Sequence, residues 1–175
     1  MRSLTLSATA ALIALLCVIS TAAADVTQPQ AQRKALHALD VRSGSAPLVV
    51  FRSLSTLKPG TRITAAGLTR LPQRARAGAA RSRAELLRAA GVSIVAAPPV
   101  ARVGSEPAWF FYADEAPYQA YQHPGRVVLV GQRSGRVTLS RTLDWPPLID
   151  GRLPYFLRSY AGYRNPRTRA FQRLW

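Results

Sequence analysis

The chain predicts an α+β fold, a mostly antiparallel sheet with one or two packed helices, and three observations point to it. Short apolar runs rich in β-branched and aromatic residues recur at Leu48–Phe51, Trp109–Tyr112 and Val127–Val130. Such runs fit a pleated, buried surface. Gly- and Pro-containing turns separate them at hairpin spacing, as in Lys58-Pro59-Gly60-Thr61 and Gly131–Gly135, where Pro presets one dihedral and Gly tolerates a positive one. Arg136–Leu143 alternates at strand period and pairs with Arg126–Val130 as a β-hairpin, which makes the sheet antiparallel there.

Ahead of that domain the sequence has the pattern of a secretory signal peptide. Arg2 supplies the positive n-region, Leu4 to Ile19 carries no charge, and Thr21-Ala22-Ala23-Ala24 offers an Ala-x-Ala cleavage site before Asp25. The expected mature protein is therefore secreted or associated with a cell envelope after cleavage near Ala24. The chain's one cysteine, Cys17, lies inside this segment, so the mature chain has no disulfide, thiol nucleophile or thiolate ligand. Leu16 stands where a lipoprotein needs a small residue, which argues against lipidation.

Residues 25–45 form a partly helical N-terminal segment: Ala31, Ala35, Leu36 and Leu39 recur at helical spacing after Pro29, and Gly44 ends the run. One α+β domain is expected over 46–163, its sheet running from about 47 to 143. Pro47–Arg52 reads as its first strand, and Arg62-Ile63-Thr64 as a brief second strand returning beside it. Residues 70–84 hold Arg70, Arg74, Arg76, Arg81 and Arg83 among Ala and Gly. With almost no large apolar residue, that stretch reads as a solvated loop. Ser82 and Glu85 then resemble a capping box opening a short helix, which leads into a strand at Val92–Val95.

Ala108–Ala113 is an aromatic strand for which a core position outweighs an exposed stacking platform. Asp114–Pro117 starts a turn or short helix that would carry Tyr118, Tyr121 and Gln122 on one face before His123-Pro124-Gly125 breaks it. Arg126–Val130 and Arg136–Leu143 form a hairpin; Val137, Leu139 and Leu143 share its apolar face, with Arg141 as a charged exception. Leu148–Gly151 reads as loop, Tyr155–Tyr160 as a short amphipathic helix, and 164–175 as a basic C-terminal tail with three apolar anchors.

Catalytic constellations are nearly absent. The chain has two histidines, His37 and His123, in different segments, and no Gly-rich phosphate loop or Gly-x-Ser-x-Gly. Asp114, Glu115 and His123 bracket one short segment and form the single candidate acid–base cluster. No nucleophile stands beside it, and the alternative assigns Asp114 to a cap and His123 to a turn. No catalytic residue, metal site or cofactor is expected.

Charge bounds the partners. Lys plus Arg total 24 against 8 Asp plus Glu, a formal net charge of +16. This favours anionic polymers and lipid headgroups, although codon bias in a GC-rich genome would produce the same arginine excess without selection for binding.

The string from Trp109 to Trp145, an aromatic strand, an acidic turn and a hairpin containing Ser134-Gly135-Arg136-Val137, resembles secreted bacterial modules of the PepSY-like kind. The resemblance covers about residues 108–147. The His123-Pro124 break and the Trp145-Pro146-Pro147 corner depart from that pattern and fit other secreted bacterial domains better. It implies a hairpin packed on a helix and a role in modulating proteases or binding proteins, with no catalytic residue to carry over. The expected function is thus an exported, non-catalytic interaction module with an unidentified protein partner in the envelope or medium. Its candidate surface is Asp114, Glu115, Tyr118, Tyr121, His123, Trp145 and Tyr155. The alternative is charge-driven adhesion to an anionic polymer or lipid surface through Arg70, Arg74, Arg76, Arg81, Arg83, Arg164, Arg167, Arg169 and Arg173. No specific nucleic acid is expected.

Overall fold

Apolar side chains on both faces of its middle strands force this chain into layers. The computed structural model describes residues 24–70, 92–117, 119 and 123–174, without the side chains of 67–70 and 92–98. The expected signal peptide, almost all of the Arg/Ala-rich loop and the helix expected after Ser82 lie outside the described residues.

Within them the fold is α+β. Eight strands follow in chain order: β1 Leu48–Arg52, β2 Arg62–Arg70, β3 Val92–Arg102, β4 Ala108–Asp114, β5 Gly125–Gly131, β6 Val137–Leu139, β7 Pro147–Ile149 and β8 Arg169–Arg173. Three short helices accompany them: α1 Gln28–Ala38, α2 Tyr155–Arg158 and α3 Tyr160–Arg164. All strand pairs are antiparallel, in a five-stranded sheet ordered β6-β5-β4-β1-β8 and a three-stranded sheet ordered β3-β2-β7.

Alternation along the central strands explains the layering, because successive side chains point to opposite faces. Val49 and Phe51, Phe110 and Tyr112, and Val127 and Leu129 enter one core, together with Ile63, Val103, Leu143 and Phe156 from the smaller sheet, the loops and α2. Their neighbours Leu48, Val50, Phe111, Ala113, Val128 and Val130 enter a second core against Ala31, Ala35 and Leu39 of α1 and its end. The larger sheet is therefore covered on both faces, and its middle strands read as unbroken apolar runs. The aromatic strand is core, as its composition suggests: Phe110, Phe111 and Tyr112 are fully buried.

The N-terminal segment is a working part of this domain. Pro29 sits in the first turn of α1, and the Gln30 side chain accepts from the Thr27 backbone N–H at 2.8 Å and its hydroxyl at 3.0 Å. Gln28 and Gln32 then pin the helix to the Ser53 and Ala170 carbonyls, at 2.8 and 2.9 Å. The helix stops well before Gly44, because Asp40 turns the backbone at a φ of 51°.

Several sequence expectations are corrected here. Residues 62–64 belong to β2, which pairs with β3 and β7; the places beside β1 are taken by β4 and β8. Residues 148–149, read as loop, are strand. The basic C-terminal tail is in part an edge strand: β8 lies along β1 with Val50 opposite Phe171. It pairs there because Ala170 and Phe171 pack on the α1-side core, while its arginines bond nearby carbonyls.

The hairpin forms, but only Val137–Leu139 is strand, and the alternation slips after it. Leu139 is exposed, whereas Ser140 and Leu143 are buried. The Ser140 hydroxyl explains the slip: it accepts from Val127 N–H at 2.9 Å and donates to the Arg141 carbonyl at 2.7 Å, filling a backbone role that a side chain on the other face could not reach. Arg141 is thereby turned to solvent, which removes the conflict its position posed.

A carboxylate holds the turn between β5 and β6. Glu106 accepts from the backbone N–H of Arg133 at 2.6 Å and of Ser134 at 3.0 Å, and from the Ser134 hydroxyl. The Ser134 side-chain bond, then its backbone bond, hold the Glu106 carboxyl below the usual glutamate value of 4.5. A depressed carboxyl contributes stability above its unfolded value and loses it as pH falls through its folded one. Glu106→Gln is expected to lower the thermal midpoint modestly at pH 7, with the gap closing as the pH falls below about 4.5. A gap unchanged across paired melts from pH 7 to pH 3 would count against this clamp.

Candidate functional site

Two places gather polar side chains over the cores. The first lies where β4 ends. Alternation puts Tyr112 and Asp114 on the same face of that strand, and the backbone of His123 is fixed by a bond from its N–H to the Asp144 carbonyl at 3.0 Å. His123 Nε2 lies 3.3 Å from Asp114 Oδ1 and 3.4 Å from the Tyr112 hydroxyl. Tyr163 of α3 donates to Asp114 Oδ2 at 3.2 Å, and Ala116 N–H donates to Oδ1 at 3.2 Å. Gly125 is required for this approach: a Cβ there would stand 2.6 Å from the Tyr112 hydroxyl oxygen and 2.9 Å from the Ala113 carbonyl.

The structure therefore joins the two members of the candidate acid–base pair. Nε2 is the ring nitrogen of His123 that faces both Asp114 and the Tyr112 hydroxyl. A general base must reach the proton it takes. Here both side chains are 4% exposed and Nε2 is directed at protein groups. The arrangement ties the end of β4 to β5 and α3. Glu115, next in sequence, instead pairs at the surface with Arg126.

The proposed interaction residues do not assemble into one surface. Asp114 and His123 are buried, at 3% and 5% exposure. Tyr118 and Tyr121 lie outside the described residues. Trp145 is half-buried ahead of β7, and Tyr155 stands exposed at the start of α2.

The candidate cations divide in a similar way. Arg70 ends β2, and Arg74, Arg76, Arg81 and Arg83 lie outside the described residues. Arg164 stacks over the exposed Tyr160 ring at 5.1 Å, while Arg167 offers its backbone carbonyl to Arg52 at 3.0 Å. Arg169 donates to the Tyr163 carbonyl at 3.1 Å, and Arg173 to the carbonyls of Ala46 and Val41 at 2.9 and 2.6 Å. In a chain with few acids, these guanidinium forks satisfy backbone acceptors and still keep their charge.

The second place is one that sequence reading missed. A cleft of about 300 Å³ opens between the segment after β1 and the stretch from β7 through α2. Phe110, Ile149 and Phe156 are among the apolar residues that line it, Leu54 and Tyr155 stand in its walls, and Arg52, Arg152 and Arg158 contribute cations. No Asp or Glu lines it. Arg152 and Arg158 come from one stretch and Arg52 from β1, so no local pattern joins all three. Among the described residues, no group of three or more His, Cys, Asp or Glu is placed to hold a metal ion, and no helix is long and apolar enough to cross a membrane. No family model matches the chain, and neither a curated protein nor a solved structure matches it.

Proposed function

We propose that this protein is an exported, non-catalytic binding module that adheres to anionic polymer or lipid surfaces of the cell envelope. One observation carries the reading: among the described residues the only basic side chains within 4 Å of a carboxylate are those of Arg126 and His123. The other arginines and lysines among the described residues meet solvent, backbone carbonyls, Gln side chains or aromatic rings, none of which cancels their charge, so it is available to an anionic partner. The leader-like first 24 residues support export, and the burial of the Asp114–His123 pair argues against general-base chemistry there. Binding of a protein partner, the role implied by the PepSY-like resemblance, is a second reading. It is favoured by the exposed rings of Tyr155 and Tyr160, at 56% and 73%, since exposed aromatics mark contact surfaces.

Salt separates the two. Co-sedimentation with vesicles containing phosphatidylglycerol is expected to be strong at about 50 mM salt and lost by about 200 mM, as screening and counterion release predict. Vesicles of phosphatidylcholine alone should retain none. Equal retention on both, or retention indifferent to salt, would reject the adhesion reading.

A further inference from the structure

We propose that the cleft between the segment after β1 and α2 is a binding site for a small aryl carboxylate, its ring against the exposed Leu54 and Tyr155 side chains and its carboxylate held by Arg152 and Arg158. This goes beyond surface adhesion: a concave, partly apolar cleft selects a small molecule, whereas a polyanion covers open charge.

Three features converge there. The floor is apolar and rigid, because Phe110 is fully buried and Phe156 is 3% exposed, their rings stacked with centroids 6.3 Å apart. The walls keep apolar groups in water: Leu54 and Tyr155 are two of the four exposed large hydrophobic residues among those described, at 59% and 56%. Apolar side chains left exposed around a concavity mark a place where a ligand completes the burial. The cleft also carries cations and no acid. Arg158 Nε donates to the Leu153 carbonyl at 2.7 Å, which fixes the guanidinium plane and leaves its two outer nitrogens. Arg152 is exposed and makes no side-chain hydrogen bond to a described residue. A carboxylate matches such forks.

The volume sets the size class. At about 300 Å³ the cleft stands at the lower end of small-molecule sites and takes one or two fused rings. Phosphate or acetate alone would leave Leu54 and Tyr155 uncovered, and a neutral arene would leave the arginines without a counter-charge.

Isothermal titration with 2-naphthoate, 2-naphthamide and acetate tests this directly. Naphthoate is expected to bind at least on the order of tenfold more tightly than either comparator, the margin expected for a charge-assisted hydrogen bond or a buried ring. Arg152→Gln removes a cation that the fold does not use and should weaken naphthoate on the order of tenfold. Tyr155→Ala should weaken it too, whereas Arg141→Gln, on the exposed stretch after β6, should not. Equal binding of naphthoate and naphthamide, an unaltered Arg152→Gln, or no naphthoate binding would each overturn the proposal. Phosphatidylglycerol co-sedimentation by the same Arg152→Gln protein shows whether surface adhesion stands or falls separately.

Discussion

Phe51→Ala is expected to cost more stability than any other single truncation in the sheet, about 3–5 kcal/mol. Phe51 is fully buried at the point where β1 meets the C-terminal helices. Its ring stacks on Phe156 at 4.8 Å and 2°, lies 6.4 Å from Tyr112 at 14°, and meets Tyr163 at 4.8 Å in a tilted contact. Truncation loses the transfer energy of the ring and leaves a cavity bounded on one side by a sheet that cannot collapse into it. Because α2 and α3 are only four and five residues long, they rely on this contact more than on their own hydrogen bonds. A domain of this size has about 5–15 kcal/mol in hand, so the urea midpoint should fall steeply and the C-terminal segment should loosen with it. Leu54→Ala, at an exposed position, should stay within about 0.5 kcal/mol of wild type. A Phe51→Ala loss below about 1 kcal/mol would show that α2 and α3 do not depend on β1.

What the sequence made legible follows burial. Val49–Phe51, Phe110–Tyr112 and Val127–Val130 have no polar alternative and were readable as strands on composition alone. The division into two sheets was not readable, because Ile63 and Ile149 meet through packing that no local pattern encodes. Prolines hid the second half of β3 and the whole of β7. Beyond the expected Val92–Val95, Pro98 and Pro99 lie in β3, an edge strand where a missing N–H is tolerated. Pro147 opens β7, the opposite edge of the same sheet. Arginine hid β8, which reads as a solvated tail until its guanidinium groups are seen bonding carbonyls. At the candidate sites, Asp114 and His123 were visible as a pair because one short segment brackets them. Arg52, Arg152 and Arg158 were invisible because only the tertiary fold gathers them.

Asp114→Ala is expected to destabilise the protein by several kcal/mol, about 1–3 for each buried partner left without its acceptor. The carboxylate accepts from the Ala116 amide and the Tyr163 hydroxyl and faces His123 Nε2. Its removal withdraws an acceptor from three groups in a water-poor place, which is more expensive than never having buried them. His123→Ala should cost less, since Asp114 keeps its bonds to Ala116 and Tyr163. The double variant decides between a coupled network and independent residues. If His123 Nε2 and Asp114 support one another, Asp114→Ala/His123→Ala loses less than the two single losses combined, with a coupling of about 0.5–3 kcal/mol in urea unfolding. Strict additivity would mean that the 3.3 Å approach carries no energy. A coupled result explains why an acid–base pair persists in a module proposed to bind rather than react: it joins the ends of β4 and β5 to α3, the helix next to the arginine cleft.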